Sequence, residues 1–153
     1  MTPETVQELY IAQEHPRLSL SEEQIRCAVE EVFRGEEASY TSLGIILSGH
    51  EHIRELNRQF RGKNYMTDVL AFPLHNEGEP VEGEVYVDLD TAWERAPEFH
   101  ASFEEEALRY IIHGVLHLIG HLDDTPEGKA QMHALEDRYL THMRQRGCLG
   151  ENR

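Results

Sequence analysis

The stretch HGVLHLIGHLDD, from His113 to Asp124, lies in the most apolar part of a strongly polar sequence. The apolar residues around it predict a central, buried helix. Residues four apart lie one turn apart on nearly the same helix face, so His113 and His117 can direct both imidazoles at one ion. Gly120 can adopt the left-handed conformation that ends helices, so a ligand beyond the helix can return to that ion. The candidates for this third ligand are His121, Asp123 and Asp124.

The spacing of the third ligand favours Asp123. Zinc metalloproteases carry a His-Glu-x-x-His helix, and some add a glycine turn and a ligand six residues after the second histidine. Six residues after His117 is Asp123, whereas the position of the protease Glu, the general base, is Gly114. Three protein ligands with one open position are typical of catalytic metal sites. The alternative is a pair of core histidines satisfied by hydrogen bonds.

Length and composition predict one domain over residues 1–153, with enough chain to bury a core. The chain has 29 acidic and 14 basic residues and a formal charge of -15. Such a charge opposes casual binding to a phosphate backbone. An RNA partner therefore needs a local basic patch or a larger assembly. The best candidate patch groups four basic residues, Arg54, Arg58, Arg61 and Lys63.

The cysteines and the apolar segments bear on the cellular location. Cys27 and Cys148 are far apart and form no Cys-x-x-Cys pair, so we expect neither a disulfide framework nor a cysteine zinc site. A reducing cytosol suits two free thiols. The N-terminus carries no basic region followed by an apolar run, and no apolar stretch is long enough to span a membrane. We therefore expect a soluble, cytoplasmic protein with no membrane partner.

Local patterns predict alternating strands and helices. Apolar runs predict strands over 40–47, 67–72 and 84–88, with a weaker signal near 6–11. Capping patterns predict helix starts at Ser21, Ser48, Asp90, Ser102 and Thr125. In the helix after Ser48, the side chains expected on the inner face are Ile53, Leu56 and Phe60. The order of these elements predicts an α+β fold, with a single mixed β-sheet covered mainly by helices and a central metal-binding helix.

Three blocks of the sequence resemble the YbeY endoribonucleases. They are LNRQFRGK with TDVLAFP at 56–63 and 67–73, GEVYV at 83–87, and HGVLHLIG at 113–120. The chain departs from the family pattern at several positions. The third family histidine corresponds to Asp123 and the aromatic after the glycine to His121, while the other changes are Met66, Ala71 and Glu84. An acid replaces the third histidine in some family members, so Asp123 is kept as the ligand.

The resemblance implies a single-strand-specific, metal-dependent endoribonuclease. Its family role is maturation of the 3′ end of small-subunit (16S) rRNA and ribosome quality control, with the small ribosomal subunit and its assembly factors as partners. One divalent ion per chain is implied, Zn²⁺ first, although a carboxylate ligand also suits manganese, iron or nickel. We expect metal ligation by His113, His117 and Asp123, and catalysis by His113 and Arg61. We expect RNA contacts from Arg58, Arg61 and Lys63.

Two other functions compete with this interpretation. The histidine spacing resembles the metal helix of zinc peptidases, although Gly114 removes their general base. A non-enzymatic ribosome-assembly protein with a structural metal is the other alternative.

Overall fold

A computed structural model describes residues 7–61 and 68–150, except for the side chain of Arg61. Four strands, five α-helices and one short 3-10 helix occur in these residues. In chain order they are β1 (Glu8–Gln13), α1 (Glu22–Gly35), β2 (Tyr40–Ser48), α2 (His50–Arg61), β3 (Val69–Pro73), β4 (Val81–Asp88), α3 (Leu89–Arg95), the 3-10 helix (Ala96–Phe99), α4 (Phe103–Ile119) and α5 (Pro126–Arg146).

The strands form one mixed sheet in the order β1-β2-β4-β3. β1, β2 and β4 are parallel, so their carboxyl ends lie at the same edge of the sheet. β3 is antiparallel to β4 and pairs Val69 with Val87. This architecture confirms the predicted α+β fold with a single mixed sheet. The prediction of one domain over residues 1–153 stays a prediction.

The two faces of the sheet carry different helices. Val85 and Val87 of β4 belong to the main hydrophobic core, together with the buried side chains of α4. Because side chains alternate along a strand, Tyr86 points to the opposite face, where its ring contacts His52 of α2. We call these two surfaces the α4 face and the α2 face. Helix α4 lies in the core as predicted, with Leu108 and Leu116 fully buried.

Gly114 allows α4 to pack closely against the sheet. A Cβ atom at this position would lie 2.4 Å from Cγ1 of Val85 and 3.1 Å from Cγ2 of Val69. The position that holds a catalytic Glu in zinc peptidases therefore has no room for a side chain here.

Three predicted helix caps are present. The side chains of Ser21, Ser102 and Thr125 each accept a hydrogen bond from the backbone N–H three residues later. The predicted cap at Ser48 is wrong, because Ser48 is the last residue of β2 and pairs with Asp88 in the sheet ladder.

Two further helix predictions are corrected by the fold. The cap of α3 is Asp88 rather than Asp90. Phe60 of α2 was expected on the inner face, but it is 61% exposed. Its ring instead meets Phe72 of β3 edge to face.

The prediction of two free thiols is also wrong, because Cys27 and Cys148 form a disulfide. They are 121 residues apart, so their spacing gave no sign of a bond. The fold brings them together because α1 packs against α5, and Cys148 directly follows the glycine that ends α5.

Among the helices of residues 7–61 and 68–150, none is long and apolar enough to cross a membrane.

Candidate metal centre

Helix α4 and the loop after it bring three potential metal ligands together. Nε2 of His113 and Nε2 of His117 are 3.0 Å apart. The Asp123 carboxylate reaches both rings, with Oδ2 at 3.3 Å from His113 Nε2 and Oδ1 at 3.3 Å from His117 Nε2. All three side chains are partly exposed, so a cation held here would keep a side open to solvent.

These separations suit a divalent ion. Ligand atoms about 2.0–2.1 Å from a tetrahedral zinc ion lie about 3.3 Å from one another. The three distances in the structure, 3.0, 3.3 and 3.3 Å, are close to that value. Two imidazoles and one carboxylate also form a donor set found in catalytic zinc sites. The residues present therefore fit a divalent cation.

The turn at Gly120 explains how Asp123 reaches the two rings. Gly120 has φ +125° and ends α4, with its N–H bonded to the carbonyls of Leu116 and His117. Residues other than glycine rarely adopt this backbone conformation. The chain reverses there and returns Asp123 to the last turns of α4 before Thr125 caps α5.

Glu136 of α5 holds the ring of His113. Its Oε2 lies 2.7 Å from His113 Nδ1, and its Oε1 accepts a hydrogen bond from Arg109 at 3.1 Å. A proton on Nδ1, donated to this carboxylate, leaves the Nε2 lone pair directed at Asp123 and His117. Such a partner fixes the tautomer and orientation of a metal-binding histidine. Glu136 could not be singled out from the sequence, because its only local signal is an acidic residue beside the apolar stripe of α5.

The electrostatic field at this site favours positive charge. Burial lowers the pKa of His113, but the hydrogen bond to Glu136 and the negative charges of Glu136, Asp68 and Asp123 outweigh it. The pKa of His113 therefore lies above its ordinary value of 6.5. The same negative charges attract a cation, so a proton and a metal compete for Nε2.

The other two candidates for the third ligand lie elsewhere. His121 points away and pairs through Nε2 with Glu36, which also accepts a hydrogen bond from the Tyr139 hydroxyl. Asp124 is exposed and does not belong to the ligand group. Of the three candidates, Asp123 is the one that shares the site with the two histidines of α4.

The residues predicted to bind RNA are only partly described. Arg58 is on the exposed side of α2 and pairs with Glu55, one turn earlier. Arg61 is the last residue of the helix, and its side chain lies outside the described residues, as does Lys63. The backbone of Arg61 lies at the carboxyl end of α2.

Two cavities adjoin the candidate metal centre. One, of about 340 Å³, is bounded by α4 and β3 and includes His117, Val69 and Pro73 in its lining. The other, of about 430 Å³, lies between α4, α5 and the 3-10 helix. His113 and Asp68 line both cavities, so the potential cation site lies between two spaces open to a substrate.

Known proteins share this fold and much of this sequence. The model of the family described as Endoribonuclease YbeY matches residues 10–144. An Endoribonuclease YbeY from Salinibacter ruber is 43% identical over 148 residues, which cover 92% of this chain and 94% of the relative. One from Chlorobium phaeovibrioides is 43% identical over 124 residues, covering 81% and 83%. A solution structure from Thermotoga maritima has a TM-score of 0.62 and 32% identity, covering 94% of this chain and 97% of that one.

The fold and the His/Asp group define an α+β protein with a potential metal site on its central helix. The family match spans most of the chain, and the relatives match over most of their own length. The chain belongs to the Endoribonuclease YbeY family.

Proposed function

We propose that this protein cleaves single-stranded RNA at the metal centre formed by His113, His117 and Asp123. Membership of the family makes the chain an endoribonuclease, a hydrolase of internal RNA phosphodiester bonds. The observation that carries the proposed site is the convergence of three ligand atoms, 3.0–3.3 Å apart, beside two open cavities. We propose one divalent ion per chain at this site, with Zn²⁺ as the first candidate.

A divalent cation bound at this site supplies Lewis acidity to the phosphodiester. Around it, the chain contributes positioning and charge. Glu136 keeps the proton of His113 on Nδ1 and so keeps Nε2 available as a ligand. Asp123 brings negative charge to a site that must accept a cation.

We propose Arg61 as the group that stabilises charge developing on the phosphate. Its planar guanidinium offers donors that match two phosphate oxygens at once. With Arg58 and Lys63 it would form the RNA-facing patch of an otherwise acidic protein. Donors aimed at developing charge are typically worth about 10²–10³-fold in rate.

The physiological substrate we propose is the 3′ end of small-subunit (16S) rRNA, within maturation and quality control of the ribosome. The formal charge of -15 makes unaided encounter with RNA slow, which supports delivery by the small ribosomal subunit and its assembly factors. We propose the cytoplasm as the location of this activity, since the proposed rRNA substrate would be met there.

The test uses a fluorescent single-stranded RNA oligomer and protein loaded with Zn²⁺. Asp123→Ala should lose bound zinc and at least about 10²-fold of the cleavage rate, because a site with two ligands holds a cation weakly. Asp124→Ala is the matched control, since this neighbouring carboxylate is exposed and outside the ligand group. If both variants cleave RNA as fast as the parent, the proposed site is wrong.

The role of Arg61 has its own test. Arg61→Ala should lower the cleavage rate about 10²–10³-fold while zinc content stays unchanged. Arg26→Ala, which removes an exposed arginine from α1, controls for the change in net charge. A His113→Ala sample purified in parallel measures contaminating nuclease. Equal rates for Arg61→Ala and the parent at matched salt would refute this role.

The two alternative functions are not favoured. A peptidase of the His-Glu-x-x-His type needs a carboxylate at the position of Gly114, and a side chain there would collide with Val85. The family match and the relatives name an endoribonuclease, which also disfavours a purely structural ribosome-assembly role.

A further inference from the structure

A second group of potential ligands lies on the α2 face of the sheet. The parallel strands β1, β2 and β4 end at the same edge, at Gln13, Ser48 and Asp88. In open sheets with parallel strands, ligands bind beyond the carboxyl ends of the strands. A potential metal ligand lies at or just beyond the end of each strand. His15 follows β1, His50 follows β2, and Asp88 and Asp90 lie at the end of β4.

The ligand atoms of three of these residues are close enough for one ion. One atom each from His50, Asp88 and Asp90 lie within 4.8 Å of one another. Nδ1 of His50 is 2.6 Å from Oδ2 of Asp88, and the backbone N–H of His50 donates to Oδ2 of Asp90 at 3.1 Å. Asp88 is completely buried, which is unusual for a carboxylate.

Ser48 provides an independent sign that this group binds a ligand. The residue is only 2% exposed, and its hydroxyl oxygen has no hydrogen-bond partner within residues 7–61 and 68–150. Ser48 pairs in register with Asp88, so their side chains leave the same face of the sheet. It also lines a cavity of about 640 Å³ together with His15, His50 and Asp90. Buried hydroxyls are rarely left without a partner, and a bound ion is one of the partners that can satisfy them.

His15 and Gly49 hold Asp90 in place. Nδ1 of His15 accepts hydrogen bonds from the backbone N–H groups of Arg17 and Leu18, so the proton of the neutral ring is on Nε2. Nε2 donates that proton to Oδ1 of Asp90 at 2.8 Å. A Cβ atom at Gly49 would lie 2.5 Å from Oδ2 of Asp90, so only a glycine leaves space for this carboxylate.

We propose that His50, Asp88 and Asp90 form a second metal site, with the Ser48 hydroxyl as a further oxygen donor. One imidazole with several oxygens suits a divalent first-row ion such as Zn²⁺ or Mn²⁺. The ion replaces the proton between His50 Nδ1 and Asp88, while Thr91 keeps its own hydrogen bonds to Asp88. His15 orients Asp90 from outside the site, as Glu136 orients His113 at the first one.

The second site is separate from the metal centre on α4. Its residues come from the ends of β2 and β4 and the starts of α2 and α3, whereas the first centre uses α4 and the loop after it. The two groups have no residue in common. The inference therefore does not depend on the nuclease function, and metal counting can separate the two sites.

The experiment is equilibrium dialysis of the full chain against buffered low-micromolar Zn²⁺, followed by elemental analysis of zinc per chain. We expect two zinc ions in the parent, one in His50→Ala, one in His117→Ala and none in the double variant. Circular dichroism checks that each variant is folded. A parent with one zinc ion that His50→Ala retains would overturn the proposal, as would a second ion that survives His50→Ala.

Ser48→Ala tests the site without removing a charged group. The serine hydroxyl makes no hydrogen bond to any described residue, so its loss should leave the metal-free fold intact. We expect the dissociation constant for the second zinc ion to rise about tenfold or more, within the range seen when residues around a metal site are removed. The first site should be unaffected. Unchanged affinity for both ions in a folded Ser48→Ala protein would contradict the assigned oxygen donor.

Discussion

Substituting Gly114 by alanine tests how tightly α4, the helix that carries the candidate ligands His113 and His117, is held against the sheet. The new Cβ atom would lie 2.4 Å from Val85 Cγ1, about 1 Å inside the ordinary contact distance of 3.4–4 Å. Val85 is fully buried in β4, between β2 and β3, so it has little freedom to yield. Helix α4 must therefore move away from the sheet.

Two opposing effects set the size of the change. Overpacking a core lowers the free energy of unfolding by about 1–3 kcal/mol, whereas replacing glycine by alanine inside a helix raises it by about 1 kcal/mol. A clash of about 1 Å against a fully buried side chain belongs to the upper part of that range. We therefore expect Gly114→Ala to lower the free energy of unfolding by about 1–2 kcal/mol, measured by urea denaturation in the presence of EDTA.

A double-mutant cycle with Val85→Ala isolates the contact. Once the Val85 methyl groups are gone, the 2.4 Å clash is removed while the 3.1 Å contact with Val69 Cγ2 remains, so Gly114→Ala should be less destabilising than in the parent by about 1–3 kcal/mol, the cost of overpacking. Gly44→Ala is a control, since its Cβ atom would meet nothing closer than 3.4 Å. If Gly114→Ala raised the free energy of unfolding by about 1 kcal/mol with Val85 still present, the predicted clash would be refuted.

Gly114→Ala should also weaken zinc binding. Metal ligands hold their geometry within about 0.5 Å, and His113 directly precedes the displaced residue. We expect at least a tenfold lower zinc affinity, measured by competition with a chromophoric chelator. Unchanged affinity would show that the two histidines move together with Asp123.

Three further predictions concern Glu136, Glu106 and the disulfide. Glu136→Gln should lower zinc affinity about 10–100-fold, because the His113 ring loses its charged acceptor; the same chelator competition measures it. Burial raises the pKa of Glu106 above its ordinary 4.5, despite nearby Arg109 and Arg95, which lower it. The folded state therefore disfavours the ionised carboxyl. The free energy of unfolding of Glu106→Gln, measured by urea denaturation, should exceed that of the parent by an amount that grows as the pH rises from 5 to 8. Reducing the Cys27–Cys148 bond with dithiothreitol should lower the free energy of unfolding by about 2–5 kcal/mol. An unchanged midpoint of urea denaturation would show that the disulfide does not stabilise the fold.

Features set by a few neighbouring residues could be predicted from the sequence. The caps at Ser21, Ser102 and Thr125 depend on contacts three residues long, and all three are present. His113 and His117 come together because helix geometry alone places them on one face. Gly120 does end α4, and the chain does turn back after it.

Features that depend on distant parts of the chain could not be predicted in this way. Glu136 meets His113 only because α5 packs on α4. Ser48 matches a capping pattern, yet pairing with β4 keeps it in the strand. No local pattern marks His50 as a potential ligand, because Asp88 lies beside it only after β2 and β4 have paired.

The loop between α4 and α5 is joined to both helices through the residues of the candidate metal centre. Asp123 lies in this loop, while His113 connects α4 to Glu136 of α5. A cation at the three ligands would therefore raise the free energy of local opening of the loop. The amide hydrogens of residues 120–125 would then exchange with deuterium more slowly, by a factor that grows with the ratio of free metal to its dissociation constant. Hydrogen exchange in this short segment thus reports metal occupancy without any RNA substrate.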